Sequence, residues 1–596
     1  MKKIIALTMA LSLVLSLTAC SGPGISVNIT PSDIDALFNA DQPLTADTAE
    51  ETVTHEITGT AFPLYLMGQD LGAEMTLYFL DGVKDLPYVE LNDWMDLLNM
   101  INTDGGEQPG YELTLETNGP VATYTRETGY PMVIDFDKNT FEFVDYNFFM
   151  KLPNMSTLLD FTSASCFNEA GESSLMKKSD DYSFDRYGEE LVLRLGDYDI
   201  DLICQDGLYL VPLQTMCDFT LAPSTSINSF FNGLALNLTP LGISRDDEVY
   251  YSAPTGMRSE ELAKYGYSEL CLMLDSLYGL KEVHEIESFD QLFHEIGFKE
   301  MLLDRDPENA DKAIYNLINM YIDDLHSSFG AFSYLTGSID YKAERGPSIA
   351  SFIEHREIQT QARAEKYPDT VPVYEEVGNT AYITFDSFDM LANKYEDYYG
   401  YENKQDIPYE DTIAMVIKAH EQITREDSPI ENVVIDLSCN TGGSVDTAAY
   451  LIAWCLGKAN ISLRDSFTGA MANTDYWADV NLDRKFDEKD TITDKNLYCL
   501  ISPVSFSCGN LVPNVFKQSG KVTLMGRTSG GGSCVVQRIS SAWGTSFNIS
   551  ASRRMSFLKN GSLYDIDRGA DPDYTISSPG KFYDREALTD YINTLY

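Results

Sequence analysis

Three serines, Ser502, Ser505 and Ser507, crowd a turn between the apolar run Leu497–Ile501 and a helix-length segment, Leu511–Gln518. A second apolar run, Val522–Gly526, follows, so the stretch reads as strand, turn, helix, strand. A hydroxyl seated where a strand hands over to a helix can act as a nucleophile, because backbone N–H groups at the helix start stabilise a developing oxyanion. Turn and N-cap duty explain the same serines equally well. Gly442-Gly443 close the apolar run Asn432–Leu437, and paired glycines let backbone N–H groups approach a ligand without a Cβ in the way. Of six histidines, His326 alone sits at a helix-to-loop junction, in Asp324-Leu325-His326-Ser327-Ser328. Between these groups lies an acidic loop in which Asp479, Asn481, Asp483, Asp487 and Asp490 stand at positions 1, 3, 5, 9 and 12, with the Lys485 carbonyl at position 7. That is the oxygen spacing of an EF-hand calcium site, although Arg484 replaces the glycine of position 6 and Asp490 the bidentate glutamate.

Positioning such groups takes several elements. The run Thr380–Phe385 reads as a strand opening an α/β core at residues 346–596, with helices over Asp411–Arg425 and Val445–Leu456. Residues 257–345 read as helical, with apolar residues at helical spacing over Glu260–Leu277, Ser288–Leu303 and Asp311–Leu325. Residues 335–376 read as a connection without a periodic pattern. Residues 51–245 read as mainly β, through runs such as Tyr111–Glu116, Pro131–Asp135 and Leu191–Leu195. Within them, Asp85–Leu91 before Trp94–Leu98 and Gly207–Leu213 before Met216–Phe219 form a degenerate strand-then-helix repeat. It resembles the small repeated domains beside the catalytic part of copper amine oxidases and implies a binding or spacer role.

Met1-Lys2-Lys3, the apolar run Ile4–Leu17 and Leu17-Thr18-Ala19-Cys20 have the layout of a secretory signal over residues 1–20. The last four residues resemble a lipobox, which implies cleavage before Cys20 and a lipid on its thiol. Residues 21–50, rich in Gly, Ser, Thr, Pro and Asp, then suit a tether holding the protein at the outer side of the bacterial cytoplasmic membrane. The formal charge of −50 opposes binding to nucleic acid or anionic headgroups. Ten cysteines without a CxxC pair give neither a disulfide scaffold nor a zinc site.

Four ordered motifs carry a family resemblance: Val434-Ile-Asp-Leu437 with Asn440-Thr-Gly442-Gly443; Ser505-Phe-Ser507 before a helix; Gly526–Gly532 with Gln537; and Gly569-Ala-Asp-Pro572-Asp573. Together they resemble the tail-specific proteases, the C-terminal processing peptidases and their tricorn-like relatives, over roughly residues 257–596. The resemblance implies a crotonase-like α/β serine protease core, preceded by a helical segment and here by the N-terminal mainly β region. It makes Ser507 the nucleophile. The Ser-Lys branch places a lysine after the Gly-rich stretch, whereas this chain has Ser533 there and no lysine between Lys521 and Lys559. The tricorn-like branch uses an Asp-x-His pattern instead, matched by Asp324-Leu325-His326, which makes His326 the general base. Cys508 and Gly442 N–H groups are then the expected oxyanion donors. Relatives carry a glutamate where Ile566 stands, so either neighbour, Asp565 or Asp567, completes the site, and Asn510 replaces another family glutamate.

These readings imply a lipid-anchored endopeptidase acting on proteins or peptides, with no catalytic cofactor and a structural calcium in the acidic loop. No segment between residues 332 and 377 is long enough for a PDZ module, so substrate capture falls to residues 51–245. The alternative is an inactive peptide- or ligand-binding lipoprotein on the same scaffold.

Overall fold

The apolar runs become neighbours in one six-stranded sheet, ordered Tyr374–Val377, Thr380–Thr384, Asn432–Asp436, Asn496–Ile501, Val522–Gly526 and Tyr574–Thr575. Only the first pair is antiparallel. Alternate residues feed two cores. Ile383, Val433, Ile435, Cys499 and Leu524 pack on one face, while Tyr382, Val434, Tyr498, Leu500 and Met525 meet Phe582, Leu588 and Ile592 on the other. Burial on both faces is why these strands lack polar alternation in sequence. Helices Thr412–Thr424, Val445–Leu456 and Cys508–Ser519 link successive parallel strands, the first capped by Asp411 through the Ala414 N–H at 2.9 Å.

This computed structural model describes residues 54–102, 112–126, 129–151, 175–179, 183–186, 188–240, 242–243, 247–342, 344–391 and 396–595. The expected signal, Cys20 and the tether lie outside them. Among the described residues no helix is long and apolar enough to cross a membrane, and all eight cysteines are unpaired.

A second, antiparallel sheet runs Ser328–Ala331, Ser546–Ser556, Ala459–Asp465, Met471–Ala478, Met176–Lys178, with Cys534–Ser540 also paired to Ser546–Ser556. Pairing of Ser328 with Asn548 draws the His326 turn, which just precedes this strand, onto the α/β core.

In the N-terminal region the two repeat strands, Tyr88–Glu90 and Leu208–Pro212, pair antiparallel with Val89 opposite Val211. Each runs straight into its helix, Leu91–Asn102 or Leu213–Thr220, and Trp94 Nε1 donates to Thr220 Oγ1 across the pair at 2.8 Å. The division expected between residues 245 and 257 is not a break in the core. Leu213, Phe230, Leu270, Ile314, Trp543 and Ile549 belong to one continuous hydrophobic cluster. Gln214 Nε2 also donates to the Ser540 carbonyl at 2.9 Å, and Met176–Lys178 joins the second sheet.

Three helical expectations need correction. Ser288–Leu303 splits into Phe289–Glu295 and Lys299–Leu303, because Gly297 takes φ 75° between them. Asp311–Leu325 becomes an α-helix, Pro307–Asn316, that loosens into a π-helix, Leu317–Ile322, and stops at Asp323 with φ 46°. The supposed connection at 335–376 holds a twenty-residue helix, Pro347–Lys366, started by Pro347 at its first turn. Gln359 is its one buried residue, so it has no apolar stripe for a periodicity argument to find.

Candidate active site

Three loops leave the carboxyl ends of three adjacent parallel strands, Asn432–Asp436, Asn496–Ile501 and Val522–Gly526, and are stitched together there. Such edges are where open α/β sheets bind ligands. Ser505 Oγ donates to the Leu437 carbonyl at 2.7 Å and Ser502 Oγ to the Ser438 carbonyl at 2.6 Å. The Phe506 N–H reaches the Asn440 carbonyl at 3.1 Å, and the Ser507 N–H reaches the Gly531 carbonyl at 2.9 Å. Two of the three serines are thereby turn locks. Ser507 is different: among the described residues its hydroxyl has no hydrogen-bond partner.

Ser507 precedes helix Cys508–Ser519 with φ 55° and ψ −123°, a conformation that non-glycine residues rarely hold. Strain at a strand-to-helix turn is how a nucleophilic serine is presented at the tip of an α/β sheet. Its neighbour Cys508 is no rival, since burial pushes that thiol up to about 12 and leaves it protonated.

The glycine loop packs on this serine. A Cβ on Gly442 would lie 2.6 Å from Ser507 Cβ and 3.0 Å from its Oγ, and Gly442 holds φ 102°. Gly442→Ala should therefore displace the Ser507 side chain, costing roughly 1–3 kcal/mol of stability and most of any turnover; wild-type kinetics in this variant would show that the contact does not matter. The Gly442 N–H, expected as an oxyanion donor, instead donates to Asn440 Oδ1 at 2.9 Å. The Cys508 N–H has no acceptor among the described residues, while the Cys508 thiol lies against the Gly443 backbone, donating to its carbonyl at 3.2 Å.

His326 is brought to the same place. Its ring lies against that of Phe506, the residue before Ser507, with centroids 4.6 Å apart. No hydrogen bond joins His326 to Ser507, and among the described residues its ring nitrogens have no partner. Burial lowers the imidazole pKa, opposed by the carboxylates of Asp324 and Asp567. Asp324 does not orient the ring. Its Oδ1 accepts from the N–H groups of His326 and Ser327 and from Ser550 Oγ, and its Oδ2 from Ser327 Oγ and Tyr278 Oη, at 2.7–2.9 Å. It holds the turn rather than the imidazole.

The two aspartates left open by the sequence separate clearly. Asp565 has a side chain 47% exposed, whereas that of Asp567 is 14% exposed and close enough to favour protonation of His326. Asp567 Oδ1 accepts the Ser533 N–H at 2.7 Å, and Oδ2 accepts Ser533 Oγ at 2.8 Å and the Arg554 guanidinium. Asn510, the residue in place of a family glutamate, ties this loop to the nucleophile helix by donating to the Ile566 carbonyl at 2.9 Å. Phe506, Ser533 and Arg554 are the site neighbours that sequence reasoning passed over; the lysine-free stretch at Ser533 was the available signal.

The acidic loop is closed by its own hydrogen bonds. Asp479 accepts from the N–H groups of Asp483 and Arg484 and from Tyr399 Oη, and Asp490 from the N–H groups of Val480, Asn481 and Asp487. Asn481, Asp483 and Asp487 make local turns onto nearby backbone N–H groups, and Arg484 lies over the Tyr399 ring at 4.0 Å with φ 61°. Among the described residues no three acidic, histidine or cysteine side chains gather to hold a metal ion. The Lys485 ammonium lies 3.5 Å from Asp483. The melting temperature tests the calcium expectation: a calcium-dependent rise that Asp479→Ala abolishes supports it, and no shift in either protein discards it.

Residues 379–576, which include the glycine loop, Ser507 and Asp567 but not His326, match the model of peptidase family S41. This part of the chain is a serine-type peptidase domain of family S41. The chain is also similar to several solved structures. They include a photosystem II D1 C-terminal processing protease (15% identity, TM-score 0.25, covering 35% of this chain and 46% of that one). A lipoprotein from Streptococcus agalactiae follows at 13% identity and TM-score 0.33, covering 56% and 96%. Mature CPAF has 11% identity and a TM-score of 0.36, covering 56% and 98%. The chain thus spans less than half the length of the first of these. No curated protein sequence matches it. The S41 domain is of mixed α/β structure, with the N-terminal β region packed beside it.

Proposed function

We propose that the S41 domain, on a crotonase-like core, is a serine endopeptidase that hydrolyses peptide bonds of proteins or peptides through Ser507 and His326. The observation that carries this reading is Ser507 itself: the one unspent hydroxyl of its turn, on strained backbone at a helix start. In the first step Ser507 Oγ attacks the scissile carbonyl carbon while His326 takes its proton. Collapse of the tetrahedral intermediate releases the amine, to which His326 returns the proton, and water then cleaves the acyl-enzyme by the same route. The unspent Cys508 N–H supplies one oxyanion donor and the Gly442-Gly443 loop the other. A buried, neutral imidazole is the form a general base needs near pH 7.

Asp567 is the third group. Asp324 has both oxygens spent, Asp565 faces solvent, and Asp567 Oδ1 takes a single hydrogen bond and keeps a lone pair to offer. The step requires the His326 ring to turn from its tilted contact with Phe506 toward Ser507, as catalytic hydrogen bonds often tighten only with substrate bound. We further propose that Cys20 carries a lipid and anchors the enzyme outside the cytoplasm, in the bacterial cell envelope.

The missing Ser507–His326 hydrogen bond favours a second reading, an inactive peptide-binding lipoprotein. Hydrolysis of a mixed quenched-fluorescent peptide library decides between them. The enzyme reading expects cleavage by the full chain and none by Ser507→Ala; equal signals from both would remove it.

A further inference from the structure

The loop that lacks the family lysine holds a different cation. Ser533 stands in the lysine position, and Arg554 reaches it from the adjacent strand, since Cys534 pairs with Arg554 and the Met555 N–H donates to the Ser533 carbonyl at 2.8 Å. A closed ring of hydrogen bonds results. Arg554 Nε donates to Ser533 Oγ at 2.9 Å, Ser533 Oγ donates to Asp567 Oδ2 at 2.8 Å, and Arg554 Nη2 donates to the same Oδ2 and to Asp565 Oδ1. The Ser533 N–H takes Asp567 Oδ1, so the carboxylate is gripped on both oxygens.

A guanidinium never gives up its proton in a protein, so Arg554 is no substitute base for the absent lysine. What it supplies is fixed charge and fixed aim. Asp567, the carboxylate that acts on His326, meets the Arg554 cation here, while the more exposed Asp565 is shared between Arg554 and Arg568. The other titratable groups around that ring are Asp324 from its own turn, Tyr278 behind Asp324, and Cys534 next to Ser533. None of these is a second cation, so the charge balance at the imidazole depends on Arg554.

We infer that Arg554, bridged by Ser533, is a positioning residue for the Ser507 reaction: it clamps Asp567 in the aspect it presents to His326 and offsets the carboxylate charge that would otherwise protonate the base. The inference rests on the peptidase reading for its kinetic part alone; its electrostatic part concerns the resting protein. With the clamp, His326 stays neutral and the Asp567 Oδ1 lone pair stays aimed. Without it, the Asp567 carboxylate beside the imidazole is uncompensated and loses the planar fork that holds it.

The test pairs an NMR titration of the His326 imidazole with the pH dependence of fluorophosphonate labelling at Ser507, in the wild-type full chain, Arg554→Gln, Arg554→Lys and Ser533→Ala. Arg554→Gln is expected to raise the His326 midpoint by about one pH unit, the size of shift a neighbouring charge causes. Its labelling should fall on the acid side, approaching about tenfold well below both midpoints, the rate cost of one pH unit of base protonation, and recover at alkaline pH. Arg554→Lys should keep the wild-type midpoint but label more slowly at every pH, because an ammonium carries the charge without the fork. Ser533→Ala should behave like Arg554→Lys. An unchanged His326 midpoint in Arg554→Gln overturns the inference. So does wild-type labelling in Arg554→Lys, which remains informative if Arg554→Gln fails to fold. Wild-type protein that never labels while the midpoint still shifts would refute the peptidase reading and leave the clamp standing.

Discussion

Replacing Ser507 with glycine is expected to abolish turnover and raise the melting temperature together. Ser507 holds φ 55° and ψ −123°, and a non-glycine residue in so sparsely populated a region costs about 1–3 kcal/mol. Glycine adopts it freely, at an unfolded-state entropy cost of about 0.5–1 kcal/mol. Its hydroxyl makes no hydrogen bond that the fold would miss. A net gain of the order of 1 kcal/mol should appear as a rise of about 2–4 °C in a domain of 150–250 residues. Loss of the nucleophile should lower kcat by roughly 10³-fold or more. Stability exchanged for chemistry at one residue is the mark of a strained catalytic position. Calorimetry and peptide turnover on the same preparation check it, and a lower melting temperature would mean that the turn is held by the serine rather than strained by it.

Arg585→Ala should give the largest loss of stability, about 3–5 kcal/mol, because it strands a buried carboxylate. Asp436 ends the strand that leads to the glycine loop and is fully buried, and Arg585 is only 3% exposed. Arg585 Nη2 donates to Asp436 Oδ2 at 2.6 Å and to Thr384 Oγ1 at 2.9 Å, and Nη1 to the Phe582 carbonyl at 2.9 Å. The guanidinium also lies 4.5 Å from the Tyr382 ring centre. The aspartate of the Val-Ile-Asp motif is therefore a strut between the sheet and helix Arg585–Ile592, not a reacting group. Denaturant unfolding of wild type and Arg585→Ala reads the difference directly. A change below about 1 kcal/mol would mean that Asp436 is relieved by water or by protonation.

What could be read from the sequence divides along physical lines. Helix Glu260–Leu277 was visible because its apolar residues recur at helical spacing, whereas Val445–Leu456, buried from Asp446 to Cys455, was marked by the glycine turn before it. The parallel strands were visible because two-sided burial makes short unbroken apolar runs. Helix Pro347–Lys366 was not, since a helix with one buried residue leaves no stripe, yet its Phe352 packs against Phe506 beside the nucleophile. In the site, the motifs located Ser507, Gly442 and His326 but could not say how donors are spent. Whether the Gly442 N–H is free depends on where the Asn440 amide falls. The choice between Asp565 and Asp567 depends on Arg554, which lies in another strand and becomes their neighbour only through register. The calcium spacing matched ligand order but carried no sign that Arg484 and the backbone N–H groups also take partners within the loop.

The central claim is that a hydroxyl at a strained helix start is activated by the imidazole that packs against the preceding residue, Phe506. Fluorophosphonate labelling of the intact chain, with the modified peptide located by mass spectrometry, measures that most directly. The account predicts a single adduct on Ser507, its rate falling on the acid side as His326 is protonated, and at least a hundredfold slower labelling in His326→Ala, toward the upper end of what a positioned base contributes, roughly 10²–10⁴-fold. Labelling of His326→Ala at the wild-type rate, or an adduct on Ser502 or Ser505 instead, would contradict it.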